Sequence, residues 1–165
     1  MVNTAPNTNN PLAHVDIDTV LLFARGIETG KITPLPLQKG VVVYIAWPPH
    51  SIIQLSVEIA ANRLEIPSMW KYFLTRRQQL CELGNAVTYA KKLYRTRAVV
   101  IDCDFSTDSF VDLAGHIPVL NAVAVENTLT TPYTTRWQLE RAKASAHVWT
   151  ALLATLCRKH PCPAP

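Results

Sequence analysis

Residues 41–47 read Val-Val-Val-Tyr-Ile-Ala-Trp, and this apolar run decides the fold class. It consists of β-branched and aromatic residues with no polar alternation, which is typical of a strand covered on both faces. Two prolines follow it at positions 48 and 49 and end it. Residues 98–102 form a second candidate strand, and residues 119–125 a third. The sequence therefore predicts an α/β (or α+β) domain with a small sheet of two to three strands packed by helices.

Apolar residues at three- and four-residue steps predict helices around these strands. The clearest pattern covers residues 135–158, where Thr135 and Gln138 have the spacing of a capping box. We therefore expect a long C-terminal helix that contributes more to the core than any other element. Further helices are predicted at residues 19–28, 51–64, 68–83, 86–94 and 107–114.

Length and composition favour one folded domain. The chain has 165 residues, of which 48% are hydrophobic and 17% charged, so it can bury a sizeable core. Residues 1–12 are rich in Asn, Thr and Pro and are predicted to be a disordered tail. A single globular domain is expected at residues 13–160, followed by a short tail at 161–165.

The chain contains no apolar run long enough to cross a membrane, for which about 18 residues are needed. Residues 1–10 are polar and lack the basic and apolar regions of a signal peptide. The predicted location is therefore the cytoplasm, where the four cysteines should be free thiols.

Residues 55–74 have the pattern of two helices joined by a tight turn. They read Leu-Ser-Val-Glu-Ile-Ala-Ala-Asn-Arg-Leu-Glu-Ile-Pro-Ser-Met-Trp-Lys-Tyr-Phe-Leu. Ala60 and Ala61 provide small side chains where two helices would cross, and Leu64 can face the crossing. A helix-turn-helix needs these features and a second helix that carries polar and basic groups into the major groove. The sequence thus predicts a possible helix-turn-helix at residues 54–80.

Within this segment the chain resembles the helix-turn-helix of excisionase-type regulators and related antitoxins. The resemblance rests on Leu55-Ser56, Ala60-Ala61, Leu64, Ile66 and Ser68. It implies that the second helix reads DNA, with the candidates Ser68, Lys71, Tyr72, Thr75 and Arg76.

The positive charge of the chain is concentrated next to that segment. The whole chain carries +4, whereas residues 71–97 contain seven basic side chains and one acidic one. Such a cluster is either a solvated helix face or a surface for a polyanion. Its members Arg76, Arg77, Lys91 and Lys92 are predicted to neutralise DNA phosphates. We therefore expect a DNA-binding regulatory protein of antitoxin-like type that controls transcription without cofactor or catalysis and acts as a homodimer or with a partner protein.

Two alternatives to DNA binding remain open. Asp102 and Asp104 follow a predicted strand, and two carboxylates at such a position can hold a divalent metal in a hydrolase or nuclease. Strand-end aspartates also simply cap turns. The other alternative is a non-catalytic subunit that binds a partner protein. Cys157, His160 and Cys162 are three further metal-ligand types, although a structural zinc site usually has four.

Overall fold

The computed structural model describes residues 10–37, 39–47, 51–93 and 95–159. Four strands lie in this part of the chain: β1 (Val41–Ala46), β2 (Ser68–Tyr72), β3 (Thr96–Asp102) and β4 (Val119–Asn121). The helices are α1 (Ile17–Glu28), α2 (Ser51–Arg63), α3 (Arg76–Lys92), α4 (Asp108–Ala114), α5 (Ala122–Val125), α6 (Thr131–Trp137) and α7 (Arg141–Lys159). A 3-10 helix covers Pro11–His14, and a π-helix covers Glu126–Thr130.

All four strands run parallel in the order β2-β1-β3-β4. Each connection between neighbouring strands contains a helix, because parallel strands cannot be joined by a tight turn. The predicted α/β class is therefore confirmed, although the sheet has four strands rather than two to three. The additional strand is β2, which was predicted to be part of a helix, whereas the three-residue β4 lies within the third strand predicted at residues 119–125.

Side chains from alternate strand positions divide the core between the two faces of the sheet. Val42, Tyr44 and Val100 point to one face, where they pack with α1, α2 and α7. Val43, Val99 and neighbouring odd-numbered residues point to the other face, where α3 and α4 cover them. Both faces of β1 and β3 are buried, which explains why their sequences are continuously apolar.

The C-terminal region forms two helices instead of the one predicted over residues 135–158. Gln138 adopts a left-handed conformation with φ of 52° and ends α6, and α7 begins three residues later. The Thr135 hydroxyl donates to the carbonyl of Thr131 within α6 rather than capping a new helix. Helix α7 is nevertheless long, with 19 residues, and packs against both α1 and α2.

The predicted helix over residues 68–83 is wrong in its first part, because Ser68–Tyr72 is strand β2. Glu65 has a φ of 56°, and this left-handed residue ends the turn that follows α2. The Pro67 carbonyl then accepts a hydrogen bond from the amide of Val42 in β1. The chain then pairs with β1 over five residues. Met69, Trp70 and Phe73 fit helical spacing, but pairing with β1 decides the conformation. The two-helix unit predicted at residues 54–80 therefore does not form.

Two further sequence expectations concern the helix after β2 and the chain ends. The helices predicted at residues 68–83 and 86–94 are not separate, since α3 continues from Arg76 through Gly84 to Lys92. The predicted N-terminal tail overlaps the 3-10 helix Pro11–His14, and Leu12 packs against the core. The rest of that tail, residues 1–9, and the predicted C-terminal tail lie outside the described residues. Among the described helices, none is both long and apolar enough to cross a membrane.

Candidate functional site at the carboxyl edge of the sheet

The connections leave β1 and β3 toward opposite faces of the sheet. Helix α2, which follows β1, packs on the face that contains Tyr44, whereas α4, which follows β3, packs on the face that contains Val99. In open α/β sheets, this divergence opens a crevice at the carboxyl ends of the two strands, and ligands bind there. The residues that end β1 and β3, and those that follow them, therefore form the candidate site.

A buried hydrogen bond closes the crevice on the α2 side. The Tyr44 hydroxyl donates to Oδ2 of Asp102 at 2.5 Å, and both residues are fully buried. Burial and the neighbouring Asp102 carboxylate raise the pKa of Tyr44 far above its usual value. Trp70 packs edge-on against the Tyr44 ring, with 5.3 Å between the ring centroids. Asp102 therefore fixes the end of β3 to β1.

On the other side, the first turn of α3 reaches the residues that follow β3. The Thr75 hydroxyl accepts the amide of Gln78 at 3.1 Å and caps the helix. The next residue, Arg76, donates through Nη1 to Oδ2 of Asp104 at 3.1 Å. Both partners are more than half exposed, so the pair contributes little to stability and is open to exchange.

A polar cavity of about 210 Å³ lies beside the ends of β3 and β4. Ser106, Thr107 and Asp108 line one wall and Asn121 another. Asn121, at the end of β4, connects the loop after β3 to α5: its Nδ2 donates to the Phe105 carbonyl at 2.9 Å, and its Oδ1 accepts a hydrogen bond from the amide of Ala124 at 3.1 Å. The loop after β3 is thus held next to the start of α5, beside the cavity.

Cys103 lies at the base of this loop but is not suited to nucleophilic chemistry. Only 3% of the residue is exposed, and its Sγ contacts the Phe105 carbonyl at 3.4 Å. Burial, with the nearby carboxylates of Asp102 and Asp104, raises the pKa of the Cys103 thiol to about 11. The thiol is protonated at neutral pH, so Cys103 serves as a packing residue.

Gln79, one turn into α3, has an unsatisfied donor. The residue is 1% exposed, and its Nε2 has no hydrogen-bond partner within the described part of the chain. An orphaned buried amide costs free energy unless water or a ligand provides an acceptor. Gln79 follows the Thr75 cap by one turn, and its backbone amide donates to the Thr75 carbonyl at 3.0 Å, so we consider its side chain together with the start of α3.

The residues predicted to contact DNA are divided among different elements. Ser68, Lys71 and Tyr72 lie on the edge strand β2, and Thr75 is the α3 cap. The Lys71 ammonium lies 5.4 Å from the centre of the Phe73 ring. No recognition helix presents these side chains together.

The predicted basic cluster is also split along α3. Arg76 and Arg77 occupy its first turn, whereas Lys91 and Lys92 occupy its last. Fifteen residues of helix separate Arg76 from Lys91, which corresponds to about 22 Å. Arg97, a further member of the cluster, donates to the backbone carbonyl of Cys157. These cations do not form one continuous surface.

The predicted metal ligands do not come together either. Asp102 is buried against Tyr44, whereas Asp104 is exposed and pairs with Arg76. Cys157 is buried, its Sγ lies 3.6 Å from the Arg97 carbonyl, and burial raises its pKa to about 11. His160 and Cys162 fall outside the described residues. Within the described ranges, no three His, Cys, Asp or Glu side chains are placed to hold a metal ion.

Sequence reasoning located the end of β3 but missed most of the site. Tyr44 was assigned to a strand without a role, and Gln79 and Asn121 were not singled out. The one available signal for Asn121 was a polar residue that follows an apolar run, at the point where residues 117–125 were ambiguous. No pattern in the sequence could reveal that the Gln79 amide is buried, since that depends on how α3 packs on the sheet.

No protein-family model matches the chain, and no curated protein matches its sequence. Solved structures do share its fold. The catalytic subunit of M. jannaschii aspartate transcarbamoylase superposes with a TM-score of 0.55 at 19% identity, and the match covers 74% of this chain and 42% of that subunit. An ornithine carbamoyltransferase from Gloeobacter violaceus gives a TM-score of 0.55 at 14% identity, covering 74% of this chain and 41% of its own.

These structures correct the functional prediction. The prediction of a DNA-binding, antitoxin-like transcription regulator is wrong, because the chain shares its fold with parts of two carbamoyltransferases and residues 68–72 form the edge strand β2 rather than a recognition helix. The resemblance to excisionase-type proteins stays a prediction from short motifs. The chain spans about two-fifths of the length of the carbamoyltransferases that it matches, and it shares a parallel α/β fold with that part of them.

Proposed function

We propose that this chain is a small-molecule-binding domain with a carbamoyltransferase-like fold, and that its ligand binds at the carboxyl edge of the sheet. The observation that carries the proposal is the divergence of α2 and α4 from the ends of β1 and β3. This is the position at which open parallel sheets bind ligands. The loops that flank it contain most of the polar side chains of the site.

The groups at this edge favour a small ligand that carries hydrogen-bond acceptors. Arg76 supplies a guanidinium whose present partner, Asp104, holds it through an exposed ion pair. Ser106 and Thr107 line the neighbouring cavity. Gln79 holds an amide donor without a partner in the described structure. A ligand with carbonyl or phosphate oxygens would find charged and neutral donors here.

The similar structures suggest which ligand to test first. Both are named as enzymes that transfer a carbamoyl group, one to aspartate and the other to ornithine. This chain corresponds to less than half of either. We therefore propose that it binds a carbamoyl-containing or phosphate-containing molecule, and we assign no complete transfer reaction to it.

Calorimetric titration of the full chain with carbamoyl phosphate, inorganic phosphate, aspartate and ornithine tests this proposal. We expect one of the first two to bind and Arg76→Gln to weaken that binding about tenfold, the effect of losing a charge-assisted hydrogen bond. Arg77→Gln is the matched control, because it removes the same charge from the same turn of α3. Its effect should stay within about twofold, as expected for an exposed charge.

Three results would count against the proposal. They are the absence of heat with all four compounds, equal losses in the two arginine variants, and binding that survives Arg76→Gln unchanged. A product assay for carbamoyl aspartate or citrulline in the same samples shows whether bound ligand also reacts.

A further inference from the structure

A groove separate from the carboxyl edge lies between β2 and α3. Its volume is about 470 Å³, within the roughly 300–1,000 Å³ typical of small-molecule sites. Val43 and Ile45 of β1 form its floor, and both are buried. Met69 on β2 and Tyr89 on α3 form opposite walls, and each is about half exposed or more.

The groove exists because of the way α3 crosses the sheet. This helix packs over β1 and β3, so the edge strand β2 is not covered on the same face by any described helix. Where α3 faces β1, it presents the small side chains of Ala86 and Ala90. Larger residues at these two positions would fill the space above Val43 and Ile45. The groove is thus a consequence of particular side chains rather than a loosely packed surface.

The two walls carry opposite charges. Lys71 on β2 contributes an ammonium, which lies 5.4 Å from the centre of the Phe73 ring. Glu82 on α3 contributes a carboxylate, and Asn85, one turn further, adds an amide. An apolar floor between a cation and an anion is complementary to a ligand with an apolar body and both charges.

We propose that this groove binds an apolar α-amino acid. The aromatic or branched aliphatic side chain rests on Val43 and Ile45, the carboxylate contacts the Lys71 ammonium, and the α-ammonium contacts the Glu82 carboxylate. Apart from Trp70, which packs against Tyr44, the groove shares no residue with the carboxyl-edge site, so it stands or falls independently of the proposed function.

A second copy of the chain is a poorer occupant. Strand β2 is only five residues long and carries an exposed lysine near its centre. Short edge strands with lysine are the devices by which proteins prevent pairing with another strand. The charges on the walls also favour a zwitterion over a wholly apolar surface.

The test is calorimetric titration of the full chain with L-phenylalanine, L-leucine, 3-phenylpropionate and phenethylamine. We expect both amino acids to bind more tightly than the two analogues, each of which lacks one charged group. Lys71→Met should weaken binding of L-phenylalanine and 3-phenylpropionate about tenfold and leave phenethylamine unaffected. Glu82→Gln should weaken binding of L-phenylalanine and phenethylamine, which carry an ammonium group, and leave 3-phenylpropionate unaffected.

Ala86→Phe, which fills the groove, should abolish binding of all four compounds. Lys92→Met, on the same helix outside the groove, is the matched control and should change nothing; circular dichroism establishes that each variant is folded. The proposal is overturned if no probe binds, if the amino acids bind no better than the analogues, or if Ala86→Phe binds normally. It is also overturned if the chain is a dimer that Tyr89→Asp converts to a monomer, because the groove would then be a subunit interface.

Discussion

The two faces of the sheet differ in the hydrogen bonds of their buried polar groups and in how completely their side chains fill the space. On the α7 face, the Glu126 carboxylate is 3% exposed and accepts hydrogen bonds from Ser145, Trp149 and Arg141 at 2.7, 3.1 and 3.3 Å. On the α3 face, the Gln79 amide lacks a partner within the described residues, and a groove remains above β2. The Thr130 hydroxyl, in the π-helix that contacts α7, is also buried without a partner among the described residues. The α7 face is thus distinguished by its Glu126 network, and the α3 face by the groove, which is suited to binding.

Removal of the largest buried side chain from the α7 face should have the greatest effect on stability. Trp149, on α7, is fully buried in the core, and its indole donates to Glu126 in the π-helix. Trp149→Ala should lower the free energy of unfolding by about 3–5 kcal/mol, through lost burial and the cavity that it leaves. Urea denaturation followed by circular dichroism measures this loss.

Phe73→Ala provides the matched comparison on the α3 face. Phe73 is also nearly fully buried, but it borders the groove, so its removal enlarges an existing space. We expect a loss at the low end of about 3–5 kcal/mol. A larger loss for Phe73→Ala than for Trp149→Ala would contradict the difference between the two faces.

The hydrogen bonds of Glu126 should give the next largest effect. In Glu126→Gln an amide NH₂ replaces one acceptor oxygen and faces the donors that now bind it. The expected loss is about 1–3 kcal/mol, the cost of leaving a buried donor unsatisfied. Glu140→Gln is the control, because Glu140 forms an exposed pair with Lys143 and should change stability by less than about 1 kcal/mol. Equal losses in the two variants would show that the hydrogen bonds of Glu126 contribute no more to stability than an exposed ion pair.

A pH-dependent contribution should come from His147 on the same face. Its Nδ1 lies 3.2 Å from Nη1 of Arg63, and burial together with that guanidinium lowers the pKa of His147, although Glu28 opposes the shift. The unfolded chain therefore takes up a proton at higher pH than the folded one does. The resulting stability is complete above the ordinary histidine pKa of 6.5 and is lost progressively as the pH falls below it.

Glu28 makes a second pH-dependent contribution to stability, in a more acidic pH range. Burial raises its pKa, but hydrogen bonds from Tyr133 and Arg25 outweigh burial and leave the pKa lowered overall. The contribution of Glu28 to stability is present above the ordinary glutamate pKa of 4.5 and is lost as the pH falls below that value.

Thermal unfolding of the wild type and of His147→Gln, measured from pH 7.5 to 5, tests the contribution of His147. The melting temperature should decrease less for the variant than for the wild type. Parallel curves over that range would rule out His147 as the source.

The sequence predicts elements well where a single physical signal dominates. Strand β1 was placed at residues 41–47 and observed at Val41–Ala46, and α2 was placed at 51–64 and observed at Ser51–Arg63. Continuous burial on both faces leaves an apolar run that is hard to misread. Helix α1 was likewise predicted to end at Glu28, where the structure ends it.

Elements that depend on tertiary context were misread. Met69 and Trp70 fit a helical stripe, but parallel pairing with β1 makes them part of a strand. The left-handed Gln138 divides α6 from α7 without a glycine or proline to mark the break. The candidate site also depends on tertiary context. The sequence places Asp102 and Asp104 at a strand end. Only the fold shows that Asp102 accepts a hydrogen bond from Tyr44 and that Asp104 pairs with Arg76.

The smallest expected effect concerns Gln79 on the α3 face, whose buried, unpartnered amide lowers the stability of the fold. Because its Nε2 has no partner in the described structure, Gln79→Leu should leave the stability of the ligand-free chain unchanged or raise it by up to about 1 kcal/mol. Leu83→Ala, on the same helix and fully buried, should instead cost about 2–5 kcal/mol.

If Gln79 serves the ligand at the carboxyl edge, the same Gln79→Leu variant should bind that ligand more weakly while being at least as stable. Denaturation and calorimetric titration on one preparation measure the two quantities together. A marked loss of stability would mean that the amide is satisfied by an ordered water and belongs to the fold. Unchanged stability with unchanged ligand affinity would remove Gln79 from the site. Only a loss of affinity without a loss of stability fits a face that keeps an unsatisfied donor for binding.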